Sequence, residues 1–334
     1  MIPMRSATII FAASLLICII FLSSPNSGNY SQADNILNNK GRVLGAQEVI
    51  AEISLKDLGI DLNALPESED EVIKEPEKIN AQDYYGLQNC RGAAIDVASG
   101  KILFSKGADE AVPIASITKL AAALVFLDYN PGWDKIYTVK NSDIIAGGKV
   151  YLNPGDRVKV KDLLYLSLIG SANSAAKALV SACSLSEAEF VDKMNLKAKD
   201  LGLINTRFAD PVGLSRANIS TALEVVKLVR AALAEDEISR AASQKNYEFF
   251  LENGKKRSIS STDLLLFRFP YNGIEILGGK TGFTKLAGYC FTGKFKDSSG
   301  HEIISAILGS DDQNSRFTET KGLVSWVYDN YKWQ

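Results

Sequence analysis

The chain has 334 residues, 46% hydrophobic and 23% charged, with 37 Lys and Arg against 39 Asp and Glu for a formal net charge of −2. These are globular values with room for one large domain or two small ones, and with no sustained basic block they exclude nucleic acid as a partner. The single histidine, His301, falls in a polar turn between two apolar runs and reads as a solvated turn residue; this excludes a Ser-His-Asp triad and most multi-histidine zinc sites.

Residues 1–5 carry a positive start, and residues 7–22 are apolar apart from Thr8 and Ser14. That is a membrane-targeting segment, between a signal h-region and a full span in length. The flanking residues suit neither cleavage nor lipidation at Cys18, so an uncleaved anchor is expected, with Arg5 on the cytoplasmic side and the remainder exported or, if the segment is cut, secreted. Residues 26–85 are polar and acidic and read as a flexible linker. A catalytic region from residue 86 to the end follows.

Residues 92–98 and 102–105 are short strand-like runs around Ser99-Gly100-Lys101, a hairpin signal. Ser116 then precedes a run, residues 120–127, that is apolar all round and so predicts a helix buried in a core. A loop-rich stretch covers 142–160. Helical patterns occupy 160–169, 174–182, 186–201 and 220–233, strand-like blocks 289–295 and 302–308, and a last helix about 314–331. Strands first, helices in the middle and strands again predict one α+β domain, its antiparallel sheet formed from both chain ends and flanked by helices, with a mostly helical subdomain. Cys90, Cys183 and Cys290 lie in or beside apolar stretches, as small core residues do.

Chemistry enters at Ser116. Lys119 is three residues on, so at a helix start its amine lies beside the Ser116 hydroxyl. Burial lowers a lysine pKa, and a neutral amine can take the serine proton. The spacing alone is unspecific, because Ser174 and Lys177 repeat it. Two further polar clusters interrupt apolar runs. Ser171-Ala172-Asn173 ends one of them, where a helix cap is the plainer reading. Gly278-Gly279-Lys280-Thr281-Gly282-Phe283-Thr284 fails as a phosphate loop, since Ile274 stands where Walker A requires glycine and no helix follows. A strand edge whose glycines admit a substrate backbone fits better.

Taken in order, Ser116-Ile117-Thr118-Lys119, Ser171-Ala172-Asn173 and Lys280-Thr281-Gly282 form the three-motif set of penicillin-binding proteins and class A β-lactamases. The resemblance extends to Leu152-Asn153-Pro154-Gly155-Asp156, Gly213-Leu214-Ser215 and Ser315-Arg316-Phe317, and the chain from about residue 86 resembles the serine D-Ala-D-Ala carboxypeptidases. That resemblance implies the β-lactamase/transpeptidase-like fold and removal of the terminal D-alanine from peptidoglycan stem pentapeptides through an acyl-serine, with β-lactams as covalent inhibitors and no cofactor or metal. It also assigns roles. Ser116 is the nucleophile and Lys119 its base, helped to stay neutral by repulsion from Lys280. Ser171 and Lys280 pass protons to the leaving D-alanine, and Asn173 holds the substrate amide. The backbone N–H groups of Ser116 and Phe283, the latter following Gly282, form the oxyanion hole. Thr281, Thr284 and Arg316 receive the terminal carboxylate, Arg316 with the least support because an arginine on a final amphipathic helix is as often a surface residue.

Two positions depart from the family pattern. Ser174 stands where many members carry Asp, and Phe283 where some carry His. No Glu-x-x-Leu-Asn follows Ser171, which argues against a class A β-lactamase and for a long-lived penicilloyl-enzyme. An endopeptidase acting on cross-links uses the same residues. A catalytically silent wall-binding or penicillin-sensing protein would have no use for both lysines.

Overall fold

A computed structural model of the protein describes residues 73–145 and 149–334. The N-terminal apolar segment and most of the acidic stretch lie outside these residues. Among the described residues no helix is long and apolar enough to cross a membrane.

The chain enters through a hairpin, β1 (Arg91–Asp96) and β2 (Ile102–Lys106). Its turn is tied by Asp96, whose carboxylate accepts from the Ser99 N–H at 2.7 Å and hydroxyl at 2.6 Å, and Gly100 takes the positive φ of 76° that the turn requires. A 3₁₀ turn, Ala115–Ile117, leads into α1 (Thr118–Asp128). Then come α2 (Val160–Ile169), α3 (Asn173–Ala182), α4 (Glu187–Asp200), α5 (Ala222–Ala232) and α6 (Asp236–Ala242). The hairpin β3 (Asn246–Phe250) and β4 (Lys256–Ser260) precedes the one-turn helix Leu265–Arg268. Strands β5 (Glu275–Thr284), β6 (Gly288–Lys296) and β7 (Glu302–Ser310) and helix α7 (Ser315–Asn330) complete the order.

The main sheet is five-stranded in the order β5-β6-β7-β1-β2, and all its pairings are antiparallel. Both chain ends therefore build it, as the element order predicts. Alternation along its strands separates two cores. Ala93, Ile95, Ile304, Ala306 and Leu308 face the helical side, packing with α1, α2 and α5. Ala94, Ile303, Ile307, Phe291 and Phe295 face α7, meeting Phe317, Leu323, Val324 and Val327. Helix α1 is buried from Thr118 to Phe126, which accounts for a sequence apolar on every side.

Local signals fix several helix starts. Ser186 and Glu189 form a reciprocal capping box on α4, and the Thr221 hydroxyl accepts from the Glu224 N–H on α5. The helix expected from residue 220 accordingly begins at Ala222. Two features differ from expectation. Glu77–Lys78, within the stretch read as linker, pairs with Tyr331–Lys332, and Tyr84 packs edge-on against Phe104, because aromatic side chains there gain more by burial than a polar linker would. His301 does lie in the β6–β7 turn, yet it is half-buried, hydrogen-bonded to Asp297 at 2.9 Å and stacked on Trp333. Cys90, Cys183 and Cys290 are buried free thiols.

Candidate active site

Ser116 sits in the 3₁₀ turn one residue ahead of Ile117, so α1 supplies Lys119 from its first turn. The residue before it, Ala115, has a φ of 49°. A β-carbon makes that left-handed conformation unfavourable, and its presence beside the serine marks strain held by the surrounding structure. Lys119 is fully buried. Its Nζ donates to Ser116 Oγ at 2.9 Å, to Asn173 Oδ1 at 2.9 Å and to the Val212 carbonyl at 2.6 Å. Burial lowers its pKa to about 7, against the opposing pull of Asp210. The amine is thus within reach of the serine proton and able to accept it near neutral pH.

The second motif arrives from the α2–α3 junction. Gly170 ends α2, Ser171 adopts a φ of 54°, and Asn173 opens α3. Ser171 is consequently not a capping residue: Ala172 precedes the helix and no side-chain cap bond forms. The hydroxyl of Ser171 instead accepts from Lys280 Nζ at 2.8 Å. Lys280 lies on β5, 1% exposed, and also donates to the Thr281 carbonyl at 3.1 Å. Its pKa is held well below the usual lysine value, first by burial and then by repulsion from Lys119 and Arg316. Repulsion between the two lysines acts on Lys280, which Lys119 lowers, whereas Lys119 itself is lowered by burial and not by Lys280 as expected. Three segments distant in sequence thus bring two Ser–Lys pairs to one place, and Asn173 joins the first pair through Lys119.

Strand β5 forms the wall. A Cβ at Gly282 would come within 2.7 Å of the Ile114 carbonyl, so only glycine lets the strand lie this close to the serine turn. Phe283 is 49% exposed, its ring stacked on Tyr289 with centroids 4.2 Å apart. The Thr281 hydroxyl lies 2.6 Å from that of Thr262. Thr284 Oγ1 accepts from the Ala287 N–H at 3.0 Å, closing the β5–β6 turn. Arg316 is not a surface residue. It is 5% exposed, and its Nη1 donates to the Gly282 carbonyl at 3.1 Å and the Cys290 carbonyl at 3.4 Å, bracing β5 from the α7 side. Ser174, where relatives of this pattern carry Asp, accepts from the Ile145 N–H at 3.1 Å and so ties the loop before the second motif to α3.

Sequence reasoning reached the loop beside Lys119 only through Gly213-Leu214-Ser215 and missed Asp210, which supports it. Asp210 accepts from the N–H groups of Val212 at 2.7 Å, Gly213 at 2.6 Å and Ser215 at 2.6 Å, and from Asn218 Nδ2 at 2.8 Å. One carboxylate thereby fixes the turn that aims the Val212 carbonyl at Lys119. Asp-Pro-x-Gly is a turn signal with a mechanism, and Asp210-Pro211-Val212-Gly213 carries it. Thr262 was also missed; its contact with Thr281 has no local signature.

A mixed α+β fold with a serine, a buried lysine beside it and a second Ser–Lys pair, its serine from the α2–α3 junction and its lysine from β5, is the arrangement that lysine-assisted serine acyl transfer requires. A family model described as D-alanyl-D-alanine carboxypeptidase, peptidase S11, matches residues 81–312, and the chain belongs to that family. It is 30% identical to a D-alanyl-D-alanine carboxypeptidase of Bacillus subtilis over 71% of this chain, and spans 61% of that relative's length. With a D-alanyl-D-alanine endopeptidase of Haemophilus influenzae it shares 32% identity over 68% of this chain and 78% of the relative. Among solved structures, the Streptomyces K15 DD-transpeptidase superposes with a TM-score of 0.65 at 27% identity, covering 71% of this chain and 96% of that one.

Proposed function

We propose that the protein is a serine D,D-carboxypeptidase that removes the terminal D-alanine from peptidoglycan stem pentapeptides and is acylated by β-lactams. The observation that carries this reading is the bridging Lys119 amine, bonded at once to Ser116 Oγ and Asn173 Oδ1. Neutral Lys119 takes the Ser116 proton as the hydroxyl attacks the penultimate D-alanine carbonyl. The backbone N–H groups of Ser116 and Phe283 receive the developing oxyanion, worth about 3–4 kcal/mol per donor in comparable sites. Protonated Lys280 passes a proton through Ser171 to the departing amine, and Asn173 holds the substrate amide. The Thr281 and Thr284 hydroxyls take the terminal carboxylate, while Arg316 contributes positive charge from behind β5 and keeps its hydrogen bonds for the strand.

The site belongs on the extracytoplasmic side, where the substrate is found, and residues 7–22 would tether it to the membrane. A class A β-lactamase activity is not favoured, because the sequence lacks the glutamate motif such enzymes use for deacylation. Endopeptidase action on cross-links is the second reading, supported by the 32% identity to the endopeptidase relative.

The test is mass spectrometry of D-alanine released from a muropeptide pentapeptide, with a cross-linked dimer in parallel and Ser116→Ala as control. Release from the pentapeptide, abolished in Ser116→Ala, is the expected result. Cleavage of the dimer alone would select the endopeptidase, and turnover by Ser116→Ala would refute the nucleophile.

A further inference from the structure

The edge of the sheet farthest from β5 carries a cleft that the acyl-transfer chemistry does not use. Strand β2 is outermost in the order β5-β6-β7-β1-β2, and the segment ahead of β1 runs beside it to leave a cleft of about 460 Å³. Its walls are aromatic. Tyr84, Phe104 of β2 and Trp326 of α7 meet edge-on or tilted, with ring centroids 5.7, 5.8 and 5.9 Å apart. A Cβ at Gly322 would overlap the Tyr84 hydroxyl, so a glycine on α7 is what seats that ring. Tyr85 lines the same cleft yet is 79% exposed, and packing does not account for it. Its hydroxyl donates to Asp83 Oδ2 at 3.4 Å. Asp83 in turn pairs with Lys78 at 3.6 Å, and the Lys78 Nζ stands 5.4 Å from the centre of the Trp326 ring. The exposed Ser105 of β2 completes the polar rim.

Aromatic faces bordered by a carboxylate, an amine and a hydroxyl suit a ring that is apolar on its faces and carries hydroxyls at its rim, as a pyranose sugar does. A lipid tail would strip water from the carboxylate and amine and offer nothing in return. An added peptide strand would need the edge of β2 to supply a continuous ladder. There the Leu103 carbonyl already accepts from the Tyr331 hydroxyl at 2.8 Å, and Lys106 Nζ is held by the Leu87 and Gln88 carbonyls at 2.5 and 3.0 Å. We propose that this cleft docks the sugar chain of peptidoglycan, with Tyr85 as its stacking face. The identity of the glycan rests on the reading that the protein acts on peptidoglycan. Four interstrand spacings, about 19 Å, separate β2 from β5, whereas a five-residue stem spans at most about 17 Å. The docked sugar is therefore not the one whose stem enters the site, and docking raises avidity for the polymer while leaving acylation untouched.

The test uses the full chain in phosphatidylcholine nanodiscs and glycan strands freed of their stem peptides, with binding titrated by saturation-transfer NMR. Wild type is expected to bind the strands. Tyr85→Ala weakens binding about tenfold, the loss of one stacked ring. Tyr85→Phe keeps the ring and stays within about threefold of wild type, and Asp83→Ala weakens binding by about as much as one hydrogen bond, severalfold. All three variants, altered at exposed positions, label with fluorescent penicillin at the wild-type rate. No glycan binding by wild type, or equal affinity in Tyr85→Ala, overturns the proposal. So does binding of the free stem peptide, in place of the glycan, that is lost in Tyr85→Ala. Absence of penicillin labelling in wild type would instead count against Ser116, with the glycan affinities still deciding the cleft.

Discussion

Gly213 offers the sharpest test of how the serine is held. Its φ of 88° is one a side chain rarely adopts, and a Cβ there would lie 2.1 Å from the Ala115 carbonyl oxygen and 2.9 Å from the Ser116 nitrogen. Substitution by alanine costs about 1–2 kcal/mol for the left-handed backbone alone. Carbon and carbonyl oxygen ordinarily approach no closer than about 3.3 Å, so the Ala115–Ser116 peptide must retreat by about 1 Å or the 210–215 turn must open. Either movement spoils the alignment of Ser116 Oγ, Lys119 Nζ and the Val212 carbonyl. A displacement of about 1 Å in reacting groups lowers the rate by about 10²-fold. The assay is the second-order rate of labelling by a fluorescent penicillin, with thermal unfolding monitored in parallel. Gly213→Ala is expected to remain folded, less stable by a few kcal/mol, and to acylate about 10²-fold more slowly. A rate within about threefold of wild type would show that the serine turn does not depend on this contact.

Other consequences are as specific. Because burial brings Lys119 to about 7, the proton it must shed is lost as pH rises through that value; wild-type acylation should fall tenfold per unit below it, and a flat profile from pH 5 to 7 would exclude Lys119 as base. Thr262→Val removes the partner of the Thr281 hydroxyl, and a hydrogen bond of this kind is worth about 1 kcal/mol, so KM for a carboxylate-terminated peptide should rise several-fold with kcat little altered; the reverse pattern would assign Thr262 to the chemical step. Glu224, 4% exposed, accepts from the Asn205 N–H and side chain and from the Thr206 hydroxyl. Glu224→Ala should cost about 3 kcal/mol in urea unfolding, and a loss under about 1 kcal/mol would mean that these donors find water instead. A chromogenic β-lactam should give a stoichiometric burst and then little turnover, whereas sustained hydrolysis would require a deacylating base.

Much of the fold is legible where burial writes itself into a period. The apolar run after Ser116 predicts a helix sunk in the core, and 160–169 coincides with α2 because both ends carry clear polar boundaries. The hairpin of β3 and β4 is missed although its burial alternates, because each strand has five residues, fully buries only Phe249 or Ile259, and the second carries Arg257 at its other inward position. Helix α6 is also missed, its seven residues being too short to display a stripe. At the site, the motifs place Ser116, Lys119, Ser171, Asn173 and Lys280, and geometry unites them. The 3₁₀ turn at Ala115 and the φ of Ser171 are imposed by tertiary contacts, and no local propensity announces them. Arg316 shows the limit of reading a face from a helix pattern, because its burial depends on two carbonyls from other strands.

The central claim is that Ser116, activated by Lys119, forms the acyl-enzyme. Peptide mapping by mass spectrometry after brief exposure to benzylpenicillin tests it most directly, on wild type and on Lys119→Ala. One penicilloyl group on the peptide carrying Ser116, formed at least about 10²-fold more slowly in Lys119→Ala, is the predicted result. Modification at another residue, or equal rates in the two proteins, would contradict the account.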